Sequence, residues 1–182
     1  MNIYILRHAS AGVRRANPIL DPKRPLDKDG KRYCLQLAHV LNAMKLQFDI
    51  IVSSPLKRCM QTASLVGTEM GYEAKILSTP ALAPDATSAQ FQKLLKECAD
   101  FENILLVGHN PNLTGFVGAL LVPSAGSDGR TNLPLVRLRK GSLARLNYTR
   151  GPATLQWLLE PRTVRALYAT STAKSRSKTS RK

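Results

Sequence analysis

Short apolar runs alternate with amphipathic segments along residues 1–121. Runs of four or five mostly apolar residues are typical of strands buried in a largely parallel sheet. Here they are IYIL (3–6), FDIIV (48–52), AKIL (74–77) and NILLV (103–107). Helical patterns fill the intervals: one begins at Asp27, a suitable N-cap, and the others cover 55–71, 88–98 and 111–121. Alternating strands and helices predict an α/β fold.

Two further strand patterns follow near the C-terminus. LARLNY (143–148) and ATLQWLLE (153–160) flank a turn that contains glycine and proline, which is typical of an antiparallel hairpin. The complete prediction is a three-layer α/β domain over residues 1–160. It has a central, mostly parallel sheet, helices on both faces and an antiparallel hairpin at one edge.

Residues 161–182 carry seven basic side chains and no acidic one. The end of this segment, TSTAKSRSKTSRK (170–182), has no apolar periodicity, so a disordered basic tail is predicted. For residues 163–169, one more helical turn is an open alternative. We expect the tail from about residue 169 to be dispensable for folding and chemistry, while its charge offers a contact to an acidic partner.

The charge of the whole chain points to an anionic partner. Its 182 residues include 27 basic and 12 acidic side chains, a net charge of +15. Phosphate groups, nucleic acid and membrane surfaces all fit that charge. Aromatic residues make up 5% of the chain, which is few for a base-stacking surface and disfavours nucleic acid.

Three features of the sequence favour a cytoplasmic protein. No apolar run approaches the roughly 20 residues that cross a bilayer, and the N-terminus lacks the pattern of a secretion signal. The three cysteines, Cys34, Cys59 and Cys98, are odd in number and far apart. This spacing argues against a disulfide framework and fits a reducing compartment.

Histidines and arginines follow three of the predicted strands. Arg7 and His8 come directly after the first strand, Arg58 opens the helix after the second, and His109 and Asn110 follow the fourth. Because parallel strands place their carboxyl ends at one edge of the sheet, we expect these side chains to converge. A single histidine after a strand is more often structural, but two such histidines joined by arginines favour a site.

That set of residues predicts phosphoryl transfer without a metal or cofactor. A neutral imidazole can attack phosphorus, and arginine donors match phosphate oxygens. The second imidazole, if protonated, would stabilise charge or pass a proton. His39 lies within a helical pattern and is interpreted as a surface or core residue without a role in the site. For Arg58, an alternative to phosphate binding is that it is an ordinary solvated residue of the helix. No cluster of His and Cys has metal-ligand spacing.

Four segments in order resemble the histidine phosphatase superfamily, in its branch of SixA-like phosphohistidine phosphatases. LRHA (6–9) is similar to the Arg-His-Gly motif with alanine for glycine, and RPLDKDG (24–30) resembles the Arg-Pro-Leu-Thr-x-x-Gly segment with aspartate for threonine. VSSPLKRCMQTA (52–63) and LVGHNP (106–111) match the two remaining motifs. The resemblance covers about residues 1–160.

The resemblance implies a role for each matching residue. His8 would be the nucleophile that becomes phosphorylated, and Arg7, Arg58 and His109 would line the phosphate pocket. Arg24 would reach into it from the loop before the first helix, and Asn110, next to His109, is expected beside the same substrate. Many members carry a mid-chain carboxylic acid. Asp85 is the candidate here, although a role as cap of the helix near residue 88 is favoured.

The expected function is therefore a metal-independent phosphatase with a phosphohistidine enzyme intermediate. Its expected substrate is phosphohistidine on a protein, such as a phosphotransfer domain. Two alternatives stay open: the same chemistry on a small phosphorylated metabolite, and a non-catalytic module that binds anions.

Overall fold

A six-stranded sheet forms the centre of the protein. A computed structural model describes residues 1–13, 16–17, 20–122, 135–149 and 151–179. The strands are β1 (Asn2–Arg7), β2 (Ile50–Ser53), β3 (Leu77–Ser78), β4 (Asn103–Gly108), β5 (Leu143–Asn147) and β6 (Thr154–Leu159). The helices are α1 (Lys28–Ala43), α2 (Lys57–Glu69), α3 (Ser88–Glu97), α4 (Asn112–Leu121) and α5 (Pro161–Thr179), with short 3-10 helices at Asp21–Lys23 and Pro80–Leu82.

The strand order confirms the predicted sheet. It runs β3-β2-β4-β1-β5-β6. The first four strands in this order are parallel, and β5 pairs antiparallel with both β1 and β6. Arg7 lies opposite Gly108 in the β1–β4 register, and Ser53 lies opposite Val107 between β2 and β4. The carboxyl ends of three parallel strands therefore meet at one edge, which is where the fold places ligands.

Two hydrophobic cores, one on each face of the sheet, account for the three layers. Side chains alternate between faces along a strand. Ile3 and Ile5 of β1 belong to the core that includes α3 and α4. Tyr4 and Leu6 belong to the opposite core, which includes α1 and α2. The predicted arrangement of helices on both faces is confirmed.

Asp27 ties the loop after β1 to the start of α1. As the N-cap of α1, its carboxylate accepts a hydrogen bond from the backbone N–H of Gly30 at 2.7 Å. It also accepts from the hydroxyl of Ser10 at 2.6 Å and from the N–H of Gly12 at 2.8 Å. Glycine is needed at position 30 because a Cβ there would collide with the Ser10 carbonyl. These contacts fix the backbone directly after Arg7 and His8.

The third predicted strand differs from its expectation. The run at 74–77 is predicted as a buried strand, but β3 consists of Leu77–Ser78 and both residues are exposed. It pairs only with β2, at the edge of the sheet, so it has a hydrogen-bonding neighbour on one side. Apolar runs do not distinguish such an edge position from the centre of a sheet.

The prediction of a disordered tail from residue 161 is wrong, because α5 extends from Pro161 to Thr179. Val164 is fully buried in the core that includes α1 and α2, and Tyr168 packs against the same core.

The Tyr168 ring also contacts the His39 ring, with centroids 5.1 Å apart, and His39 Nε2 lies 3.0 Å from the hydroxyl of Ser171. His39 is thus a surface residue of α1 in contact with α5. Residues 180–182 lie outside the described part of the chain.

No helix in the described ranges combines the length and apolar character needed to cross a membrane. The three cysteines, Cys34, Cys59 and Cys98, are all buried free thiols.

Replacing Val164 by alanine tests whether α5 belongs to the folded domain. We expect the free energy of unfolding to fall by about 1–3 kcal/mol, because truncation of a buried aliphatic side chain leaves a cavity in the core. Leu167→Ala is the matched control, since Leu167 is on the same helix and 46% exposed. Urea denaturation measures both variants. Equal stabilities of wild type and Val164→Ala would show that α5 adds nothing to the domain.

Candidate active site

The expected histidines and arginines meet in one cavity at the carboxyl edge of the sheet. This cavity, of about 660 Å³, is called here the catalytic cavity. The four central candidates Arg7, His8, Arg58 and His109 all line it. The further residues that line it are Gly12, Asp21, Pro22, Arg24, Leu56, Pro84, Asp85, Asn110, Pro111 and Lys140.

His8 is held as a neutral imidazole with one nitrogen left for chemistry. Its Nδ1 lies 2.8 Å from the carbonyl oxygen of Ala9, and because a carbonyl only accepts, Nδ1 carries the hydrogen. The lone pair is therefore on Nε2. Burial, together with the positive charges of Arg58 and Arg7, lowers the pKa of His8 to about 4. At neutral pH this side chain is an unprotonated nucleophile.

His109 lies beside His8, with ring centroids 5.1 Å apart. Its Nε2 lies 2.9 Å from the hydroxyl of Ser54 and 3.2 Å from the thiol of Cys59. The neutral tautomer in which Nε2 accepts from the Ser54 hydroxyl carries the ring hydrogen on Nδ1. Burial, followed by the repulsion that a protonated His8 would exert and by the positive charge of Arg58, lowers the pKa of His109 to about 3. At neutral pH His109 is therefore uncharged, and this tautomer contributes an N–H donor and not an imidazolium.

Arg7 and Asn110 share one anchor. Arg7 Nη1 donates to the carbonyl of Leu138 at 2.9 Å, and Asn110 Nδ2 donates to the same oxygen at 2.8 Å. Buried Arg7 Nε and buried Asn110 Oδ1 have no hydrogen-bond partner. An unsatisfied donor suits a phosphoryl oxygen, whereas an unsatisfied amide oxygen repels one. The geometry favours phosphate contact for Arg7 and a structural contact with Leu138 for Asn110.

Asp21 connects the other two arginines. Its Oδ1 accepts from Arg24 Nε at 2.9 Å, and its Oδ2 lies 3.4 Å from Arg58 Nη1. Arg24 also donates to the carbonyl of Ala11 at 2.7 Å, which holds it in the wall of the cavity. Arg24 therefore does reach the site from the loop before α1. Asp21 is a site residue that sequence analysis missed, although its position three residues before Arg24 could have suggested the pair.

Asp85 does not cap α3. The N-cap is Thr87, whose side chain accepts from the N–H of Gln90 while the Gln90 side chain accepts from the N–H of Thr87. This capping box leaves no capping role for Asp85. Asp85 is exposed and lines the catalytic cavity. The favoured interpretation of Asp85 as a helix cap is wrong, and its position keeps it as a candidate acid.

Lys140 is a second residue that sequence analysis missed. It precedes Gly141, which has a φ of +85°, a conformation that favours glycine. The N–H of Gly141 lies 3.0 Å from the Arg7 carbonyl, and the hydroxyl of Tyr33 donates to the Gly141 carbonyl at 2.6 Å. This turn fixes Lys140 at the rim beside Arg7. Because Lys140 lies over 130 residues after the first histidine motif, no local pattern in the sequence links the two.

The cavity is rich in cations and poor in metal ligands. Four cationic side chains, Arg7, Arg24, Arg58 and Lys140, line it against two carboxylates. Within the described ranges, no group of three or more His, Cys, Asp or Glu side chains is placed to hold a metal ion. The arrangement supplies a neutral nucleophile, fixed positive charge and N–H donors, which are what transfer of a phosphoryl group requires.

Comparison with known proteins agrees with this geometry. The model of the histidine phosphatase superfamily (branch 1) matches residues 3–83. The phosphohistidine phosphatase SixA of Escherichia coli is 29% identical over 127 residues, which cover 68% of this chain and 75% of SixA. Among solved structures, the protein histidine phosphatase SixA complexed with tungstate has a TM-score of 0.73 at 24% identity. That match covers 90% of this chain and 99% of the other.

The same fold also occurs in a phosphatase that is named for another substrate. The α-ribazole phosphatase of Shigella flexneri has a TM-score of 0.66 at 17% identity, with 88% of this chain and 97% of that chain covered. An uncharacterised protein of Picosynechococcus is 33% identical over 129 residues, which cover 69% of this chain and 76% of that protein. Sequence, fold and the converging motif residues agree: the chain belongs to the histidine phosphatase superfamily.

Proposed function

We propose that this protein is a metal-independent phosphatase that transfers a phosphoryl group to His8 and then to water. One observation carries the proposal: the hydrogen bond from His8 Nδ1 to the Ala9 carbonyl, which leaves the lone pair on Nε2 in a cationic cavity. The substrate proposed is phosphohistidine on a protein, such as a phosphotransfer domain. The similarity of this chain to SixA of Escherichia coli supports that choice of substrate.

The reaction has two displacements at phosphorus. His8 Nε2 forms a bond to phosphorus as the bond from phosphorus to the substrate imidazole breaks, and that imidazole leaves with the bonding electrons. Water then attacks phosphorus, the bond to Nε2 breaks, inorganic phosphate leaves and a proton passes to solvent. Arg7, Arg58 and the N–H of His109 stabilise the charge on the phosphoryl oxygens in both transition states.

Phosphohistidine suits a cavity whose candidate acid is Asp85, an exposed carboxylate, because the other carboxylate, Asp21, is paired with Arg24 and Arg58. The leaving imidazole accepts a proton on its distal nitrogen near neutral pH, since its reference pKa is about 6.5. An alkoxide that leaves from an alkyl phosphate needs a positioned acid. His109, which is uncharged at neutral pH, does not provide one.

A small phosphorylated metabolite is the second candidate substrate. Asp85 lines the catalytic cavity instead of capping α3, so it is available to protonate an alkoxide. The fold is shared with the α-ribazole phosphatase of Shigella flexneri. For either substrate we propose the cytoplasm as the location, which the three buried free thiols support.

A ranking of substrates tests the proposal. We expect turnover in the order phosphohistidine peptide, aryl phosphate, alkyl phosphate, measured as phosphate release by wild type and by Asp85→Asn. The order should persist in Asp85→Asn, and a chelator should leave it unchanged. Fast alkyl phosphate turnover that collapses in Asp85→Asn would make Asp85 the general acid and favour the small metabolite. Absence of turnover on all three substrates would favour a module that only binds anions.

A further inference from the structure

A second concave surface adjoins the catalytic cavity. It has a volume of about 430 Å³ and is called here the side cavity. Arg7 and Lys140 line both cavities, so the two meet along these side chains. The side cavity is completed by residues near the start of α5 and the turn before β5, namely Arg139, Glu160, Pro161, Arg162 and Arg165.

The side cavity carries an excess of positive charge that nothing in its described lining neutralises. Five of its residues are cationic and Glu160 is the one carboxylate. Glu160 pairs with Arg139 at 3.7 Å, and because both side chains are over one third exposed, the pair is screened by solvent. Like charges around a concave surface repel one another and focus the field that attracts an anion.

The walls of this cavity are held in place. The guanidinium of Arg165 lies over the Tyr33 ring, 5.8 Å from its centroid. The same Tyr33 donates its hydroxyl hydrogen to the carbonyl of Gly141, beside Lys140. The N–H of Arg139 donates to the hydroxyl of Ser142 at 2.9 Å. The cationic groups are thus presented by backbone that is fixed before a ligand arrives, which lowers the ordering cost of binding.

We propose that the side cavity binds carboxylate side chains that neighbour the phosphohistidine of an acidic protein substrate. The inference rests on the proposed function and extends it from the phosphoryl group to the surrounding segment of the partner. While the phosphorylated imidazole occupies the catalytic cavity, residues beside it in the substrate lie over Arg7 and Lys140 and reach Arg139 and Arg162. Both of the last two side chains are exposed, so a macromolecule can meet them from solvent.

A pair of phosphohistidine peptides tests the inference. The peptides are identical except that glutamates beside the phosphohistidine in one are glutamines in the other. We expect wild type to prefer the acidic peptide about tenfold in kcat/KM, which is typical of two exposed charge pairs. The preference should fall to about twofold or less in the double variant Arg139→Gln, Arg162→Gln, and also at high salt.

The matched control removes the same charge elsewhere. Lys75 and Lys93 are exposed and line neither cavity. The double variant Lys75→Gln, Lys93→Gln should therefore keep the wild-type preference. Equal kcat/KM for both peptides in wild type, or the same loss in both double variants, would overturn the inference.

An inhibition assay separates this inference from the proposed function. The unphosphorylated acidic peptide should inhibit hydrolysis of an aryl phosphate more strongly than its glutamine counterpart, and Arg139→Gln, Arg162→Gln should abolish the difference. If phosphohistidine peptides are not hydrolysed while the aryl phosphate is, the proposed function fails, and this assay still decides on the side cavity. Equal inhibition by both peptides would overturn the inference. The inference would also be overturned if the enzyme preferred an aryl phosphate that carries a second phosphate group but showed no preference for acidic peptides.

Discussion

Replacement of His8 by alanine is expected to lower kcat on any hydrolysed substrate by about 10⁴–10⁶-fold, the range found when an enzyme loses its nucleophile. His8 Nε2 is the imidazole nitrogen with a free lone pair in the catalytic cavity, and the neutral His109 has its Nε2 occupied by Ser54. No other nitrogen in the described lining is set to replace it. Steady-state turnover of an aryl phosphate measures the loss.

Rapid quenching with labelled substrate should place the phosphoryl group on His8 in wild type and leave His8→Ala unlabelled. His39→Ala is the matched control, because His39 is exposed on α1, contacts α5 and does not line the catalytic cavity. We expect that variant to retain both label and rate. Turnover of His8→Ala within tenfold of wild type would exclude His8 as the phosphoryl acceptor.

The parts of the fold that follow from local patterns were predictable. Helices α2, α3 and α4 lie within two residues of the predicted ranges, and Asp27 caps α1 as expected. Helix α5 could not be predicted in the same way. Its anchor to the domain is essentially Val164 and Tyr168, four residues apart in a basic segment, and their burial depends on the surface of α1. Such sparse contacts have no periodic signal in the sequence.

The site was predictable where residues follow strands. His8 and His109 follow β1 and β4, which are adjacent in the sheet, so topology alone brings them together. Asp21 and Lys140 are positioned instead by a 3-10 helix and a tight turn. The spacing of Asp21 and Arg24 is a local signal for that one pair. The other contacts that position Asp21 and Lys140 join residues far apart in the sequence, and neither spacing nor hydropathy records them.

Replacement of Arg58 by alanine should lower kcat by about 10²–10³-fold without unfolding the protein, as for other groups that stabilise transition-state charge. Arg58 is 5% exposed, in the first turn of α2, and its Nη1 lies 3.1 Å from the carbonyl and 3.4 Å from the carboxylate of Asp21. Asp21 therefore helps to hold the Arg58 guanidinium in the lining of the catalytic cavity. Steady-state kinetics on an aryl phosphate and a thermal melt measure the two effects.

Two comparisons separate the electrostatic role from packing. Arg58→Lys keeps the charge but loses the planar fork that matches phosphate oxygens, so we expect it to recover only part of the rate. Arg32→Ala is the control for loss of an arginine, because Arg32 is exposed on α1 and pairs only weakly with Asp29 in solvent. It should keep the wild-type rate. If Arg58→Ala keeps full activity with an unchanged melt, Arg58 takes no part in catalysis, and the phosphoryl group is held by Arg7, Arg24 and Lys140.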